Sequence, residues 1–138
     1  MHGAVRDKVK LLGTGLWADD AALERESSLE GSWYAAPAPN SDEKFVTKYR
    51  LTFGNAPAPL ASLAYDAVSL VALLADGTPY HRFTKAALMD PNGFAGVNGI
   101  FRFSPDGTSE RGLAVMEVTP AGPVVVSPAP TTFQGKNS

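Results

Sequence analysis

One stretch constrains the chain more than any other: PLASLAYDAVSLVALLA, from Pro59 to Ala75. Leu60, Leu63, Ala64, Ala67, Val68, Val71, Leu74 and Ala75 recur at intervals of three and four, which places them on one face of a helix. Leu70, Ala72 and Leu73 carry apolar character round most of the rest, and Ser62, Tyr65, Asp66 and Ser69 form a narrow polar stripe. A helix this apolar is expected to be buried on several sides, with Leu63 and Val71 in a core. Pro59 suits the first helical position and Asp76-Gly77 supplies a stop. At about 1.5 Å per residue the helix crosses about 25 Å, a domain's width. It is too short and too polar to span a membrane.

Such a helix needs a domain around it. The 138 residues suit one domain or a piece of a larger one, and 44% hydrophobic content is enough to build a core. The formal charge is −2, and no Lys/Arg cluster interleaves with aromatics. That balance argues against nucleic acid or an anionic membrane as partner. There is no cysteine, which excludes disulfides and Cys-ligated metals. The N-terminus, MHGAVRDKVK, has no apolar signal core.

In chain order, Val9 to Thr14 reads as a buried strand, and Asp19-Asp20 opens a short helical pattern to Glu26. Leu29 to Ala36 reads as a second strand, stopped by Pro37-Ala38-Pro39-Asn40. Ser41 then suits an N-cap, Phe45, Val46, Tyr49 and Phe53 share a helical face, and Gly54 closes it. Strand–helix–strand–helix implies an α/β sheet with parallel strands. After the central helix an amphipathic segment runs from Thr78 to about Met89, and Asp90-Pro91-Asn92-Gly93 makes a turn. The period then becomes two. Ile100–Phe103, Ala114–Val118 and Val124–Val126 are expected as a terminal antiparallel β meander, joined across Ser104–Gly107 and Thr119–Gly122. Thr131 to Ser138 reads as a frayed tail.

Chemistry is sparse in the residues. His2 and His81 lack any partner at metal-ligand spacing, so no metal site is expected. No G-x-S-x-G elbow exists for serine catalysis. Gly13-Thr14-Gly15 begins like a dinucleotide loop but has no third glycine, and a tight turn is the plainer use. Asp19-Asp20 and Asp42-Glu43 are better explained as helix-start acids than as a catalytic pair. No enzyme and no cofactor are expected. Two places remain as candidates for binding. Leu16, Trp17 and Asp19 follow the first strand at its carboxyl end, where open α/β sheets place ligands; Trp17 could equally cap the core edge. Leu60, Ala61 and Ser62 open the central helix, where free N–H groups can receive a carboxylate; capping is the simpler role for Ser62.

The wording of six segments carries a resemblance: VKLLGTGLW, GSWYAAP, FVTKYRLTFGNAP with LAYDAV, and GFAGVNGIFRFSPDG with RGLAVMEV. From about Val5 to Phe133 the chain resembles the C-terminal part of a type I periplasmic solute-binding protein of the Leu/Ile/Val class. The DPNGFAGVNGIFRF and ERGLAV segments are especially similar to penicillin-binding-protein activators, lipoproteins of the same fold. The resemblance implies an α/β, two-lobed fold closing on a ligand like a flytrap. Residues 1–37 would end the second lobe, 38–95 return to the first, 96–130 cross back, and 131–138 form a tail. It implies a non-enzymatic periplasmic receptor of the ABC-transporter type, for an amino acid or similar small molecule, with a membrane permease as partner. The alternative is an activator of a penicillin-binding protein, acting on a peptidoglycan synthase through protein contacts. The ligand-facing loop would fall at Gly15-Leu16-Trp17 and the second contact at Leu60 to Ser62. The family's amino-acid binders carry an acid in the first loop; Leu16-Trp17 stands here instead, with Asp19 the nearest acid. A signal segment upstream of Met1, a missing first lobe and self-association of the chain are also expected on this basis.

Overall fold

A computed structural model describes residues 9–19 and 26–134. The chain separates into two compact units, Met1–Ala38 with Leu113–Ala129, and Pro39–Gly112 with Pro130–Ser138.

The first unit is a four-stranded sheet of β1 (Leu12–Gly13), β2 (Trp33–Ala36), β6 (Ala114–Glu117) and β7 (Val124–Ser127), in the order β1-β2-β6-β7. β1 runs parallel to β2, as the sequence pattern requires, while β2–β6 and β6–β7 are antiparallel. Alternation decides which face is buried, because successive strand residues point to opposite sides. Tyr34 pairs with Met116 and Ala36 with Ala114, and with Val118 these residues form the buried cluster. Trp17, Leu29, Ala38 and Ala129 pack against it. The pair next to Tyr34 and Met116, Trp33 and Glu117, lies on the other face, and the Trp33 indole donates to the Glu117 carboxylate at 2.6 Å. Lys10 sits over the Trp33 ring at 4.5 Å and reaches Glu117 at 3.5 Å, so this face is held by polar contacts. The indole N–H, with Lys10 second, holds the Glu117 carboxyl below the usual glutamate range. The expected strand from Leu29 is shorter, because Ser27–Leu29 forms a 3-10 turn capped by the Glu26 carboxylate. The helix expected after Asp19 lies largely outside the described residues.

The second unit contains α1 (Glu43–Phe53), α2 (Ala61–Ala75), α3 (Lys85–Leu88) and a three-stranded antiparallel sheet, β3 (Phe94–Gly96), β4 (Gly99–Phe103) and β5 (Ser109–Arg111). α1 is capped at Asp42 rather than Ser41, and ends at Gly54, whose φ of +74° suits glycine. Phe45, Tyr49 and Phe53 stack along it with centroids 5.9 and 4.5 Å apart, and Phe45 meets Tyr65 of α2 at 5.2 Å. The antiparallel strands are distributed differently from the expected meander. Across Ser104–Gly107, β4 pairs with β5, so Ala114–Glu117 is free to join β2 in the other sheet. The amphipathic run from Thr78 is helical only over Lys85–Leu88, after Thr84 caps it. Tyr80 and Phe83 adopt φ of +75° and +57°, left-handed values that stop a helix. The end of the chain, expected to fray, is held as far as Gln134. Arg102 stacks on Phe133 at 4.5 Å and Gln134 donates to Asn92 at 2.6 Å.

α2 departs most from its sequence pattern. The helix begins at Ala61 with Leu60 as its cap, leaving Pro59 outside. Its buried residues are Ser62, Asp66 and Leu70, so Ser62 and Asp66 of the polar stripe face inward while Tyr65 and Ser69 stay exposed. Leu63 and Val71 are 40% and 55% exposed instead of lying in a core. Two contacts turn the helix this way. The Asp66 carboxylate accepts the Val97 N–H at 2.8 Å, and the Asn98 side-chain amide donates to the Ser62 hydroxyl at 3.0 Å. Both partners sit in the two-residue turn joining β3 and β4.

Candidate functional site

The first candidate place is the 3-10 turn Gly15–Asp19, immediately after β1 and closed by Trp17 N–H donating to the Thr14 carbonyl at 3.0 Å. Gly13 explains the glycine before it: an added Cβ would fall inside the Trp17 indole. The indole therefore lies flat on the strand, 6.1 Å from the Tyr34 ring and against the buried cluster. Gly15 passes close to the Ala35 carbonyl, 3.2 Å from where its Cβ would stand. The Gly-x-Gly pattern thus lets an indole and a strand approach. Most of the Trp17 ring is committed to packing, whereas Leu16 is 84% exposed at the head of the turn. Asp19 ends the turn.

The second place is the start of α2. No side chain caps it, since its cap residue is Leu60, so the positive end of the helix is open to an anion. Leu60 is exposed, Ala61 half-buried and Ser62 buried. The Ser62 hydroxyl already accepts from Asn98, which makes it an internal tie as well as a first-turn residue. Beside it lies an open depression of about 210 Å³, lined by Asp42, Phe45, Val46 and Arg50 of α1's side and by the 56–59 segment and Ser62. Its lining mixes apolar side chains with one carboxylate, one guanidinium and the serine. Leu16, Trp17 and Asp19 belong to the first unit, and Leu60, Ala61 and Ser62 to the second.

Two residues that sequence reasoning passed over are central here. Asp66, one member of the narrow polar stripe, is buried, with its second oxygen 3.9 Å from the Arg111 guanidinium and without a hydrogen bond. Gly96 is required beside it, because a Cβ there would stand 2.5 Å from that oxygen. The only sequence signal for the pair was the wording LAYDAV and GFAGVNG itself. Among the described residues no group of three or more His, Asp and Glu side chains could hold a metal. Among the described residues no helix is long and apolar enough to cross a membrane.

No family model and no curated protein matches the chain. Solved structures do. A protein assigned to a branched-chain amino acid ABC transporter of Rhodospirillum rubrum aligns over 89% of this chain at 23% identity, with a TM-score of 0.62. An ABC transporter substrate-binding protein from Desulfitobacterium hafniense, solved in complex with Leu, aligns over 88% at 22% identity and a TM-score of 0.50. A solute-binding protein of an ABC transporter from R. palustris, in complex with benzoate, aligns over 96% at 17% identity and 0.51. The chain spans 38–39% of the length of these proteins. Over that portion, the chain has the α/β fold of the type I periplasmic solute-binding proteins.

Proposed function

We propose that the chain is a non-enzymatic ligand-binding module of a periplasmic ABC-transporter-type solute receptor, serving a small carboxylate with an apolar body and delivering it to a membrane permease. The observation that carries this reading is the alignment of nearly the whole chain with the Rhodospirillum rubrum protein. The proposed contacts are Leu16, Trp17 and Asp19 after β1, and Leu60, Ala61 and Ser62 at the start of α2. The uncapped start of α2 would receive the carboxylate. Leu16 supplies exposed apolar surface where an amino-acid receptor would need an acid for the ammonium. An apolar or aromatic acid therefore fits the turn better than a free amino acid. Relatives in fold are known with Leu and with benzoate.

The same feature supports a second reading, an activator of a penicillin-binding protein. An exposed leucine in place of the acid is what a turn retained for protein contact would also present.

Titrating benzoate and leucine into the isotopically labelled 138-residue chain separates these readings. Weak binding is expected, because much of a two-lobed receptor's wall is outside this chain's span. Benzoate should perturb amide signals at 15–19 and 60–62 at millimolar concentration, and leucine less. No perturbation by either at about 10 mM would sink the receptor reading.

A further inference from the structure

On the receptor reading above, on which this step rests, we propose that Asn98 is a positioning residue for ligand recognition. It fixes the Ser62 hydroxyl as a hydrogen-bond donor at the start of α2, and so selects a carboxylate.

A hydroxyl has one hydrogen to give and two lone pairs to receive with, and its hydrogen turns to suit its neighbours. At Ser62 that freedom is removed. The Asn98 side-chain amide donates to the Ser62 oxygen at 3.0 Å, and an amide nitrogen can only give. The Ser62 hydrogen must therefore point elsewhere, and no acceptor among the described residues takes it. Ser62 is only 5% exposed, so bulk water does little to satisfy that hydrogen. Leaving a buried donor without an acceptor is costly. Ser62 also lines the depression of about 210 Å³ beside the helix start, where the oxygen of a small ligand would supply what is missing.

Fixed charge does not settle which ligand that is. The depression holds one carboxylate, Asp42, and one guanidinium, Arg50. Oriented dipoles decide instead. The uncapped start of α2 turns its positive end to an incoming carboxylate, and a hydroxyl held as a donor does the same. Asn98 suits the task because its turn is pinned on both sides. The Val97 N–H is taken by Asp66, which lies one helical turn beyond Ser62 on the same side of α2. Gly99 has a φ of +103°, and a Cβ there would stand 2.9 Å from the Gly112 carbonyl oxygen. The amide is thus in place before a ligand arrives, which lowers the ordering cost of binding.

The test uses the isotopically labelled 138-residue chain with benzoate and benzamide as probes. They share a ring, but benzoate can only accept, whereas benzamide can also donate. Asn98→Asp keeps the side chain's shape and reverses its polarity. The new carboxylate takes the Ser62 hydrogen, and the hydroxyl then turns a lone pair to the ligand. The ratio of benzoate to benzamide affinity, read from amide shifts at 60–62, should fall about tenfold. In a Ser62→Ala background the same replacement should move the ratio less than about threefold, the part left to screened charge repulsion. Asn98→Ala frees the hydroxyl to turn either way and should give an intermediate ratio, which decides the matter if the aspartate variant does not fold. A parent chain that binds neither probe sinks the receptor reading and this inference with it. A parent that prefers benzamide, a ratio unmoved by the Asn98 replacements, or an equally large fall without the Ser62 hydroxyl would overturn this inference alone.

Discussion

The two units bury their apolar residues by opposite means. In the first, strand alternation puts Tyr34, Ala36, Ala114, Met116 and Val118 inside, and the polar pair Trp33 and Glu117 outside. In the second, the longest and most apolar helix buries a serine, an aspartate and one leucine, and shows its valines to solvent. The β2–β6 pair satisfies its own pattern within the chain, although Val124, Val125 and Val126 of β7 stay exposed. The helix is fastened by two polar contacts to a hairpin turn and leaves its apolar side unsatisfied. An amphipathic period thus predicts which residues share a face, while the partner that covers the face is a separate matter.

The largest effect that tests this contrast is a cavity in the sheet. Met116→Ala, at 3% exposure, should lower the unfolding free energy by about 2–4 kcal/mol. Leu63→Ala, measured in the monomer at high dilution, should cost under about 1 kcal/mol, because Leu63 is already partly in water. Equal losses in chemical denaturation would erase the distinction between the units.

Next comes the glycine beneath the indole. Gly13→Ala should cost about 1–3 kcal/mol, since the new methyl must displace the Trp17 ring. The Gly13→Ala, Trp17→Ala double variant should be less destabilised than the two single losses added together. Strict additivity in thermal melts would show that the ring does not rest on the glycine.

The polar anchor of α2 should be comparable or slightly weaker. Asp66→Ala removes the acceptor for the Val97 N–H and should cost about 1–3 kcal/mol. Amide exchange at Val97 should quicken in step. A variant as stable as the parent would mean that the hairpin holds α2 by some other contact.

The smallest effect is a pH dependence confined to the outer face of the sheet. The Glu117 carboxyl is held below its unfolded value, so its contribution is fully present above the unfolded pKa and is lost as pH falls through the folded one. Between neutral pH and about pH 3 the parent should therefore lose more melting temperature than Glu117→Gln. Parallel curves for the two proteins would show that the Trp33 and Lys10 contacts do not bias the ionised form.

Much of the fold was legible in the residues. The parallel pairing of β1 and β2 followed from the strand–helix order, Gly54 marked the end of α1, and the shared wording of the segments pointed to the solute-binding fold. These are local signals: a period, a cap, a turn. The exchange of strand partners, β4 with β5 and β6 with β2, was not legible, because any two alternating strands separated by a turn look alike in sequence. Tyr80 and Phe83 broke a helix that their periodicity favoured, through left-handed backbone that neither residue type announces.

Of the candidate site, the sequence alone placed Leu16 at the head of a turn after a strand and Ser62 in the first turn of a helix. It could not say that Trp17 lies on Gly13, or that Ser62 and Asp66 face inward. Those outcomes depend on Val97 and Asn98, about thirty residues further along, and on a glycine small enough to admit a carboxylate beside it. Helical periodicity is set by bonds four residues apart and is written locally. The side of the helix that is buried is set by what folds back against it, and only the tertiary structure supplies that.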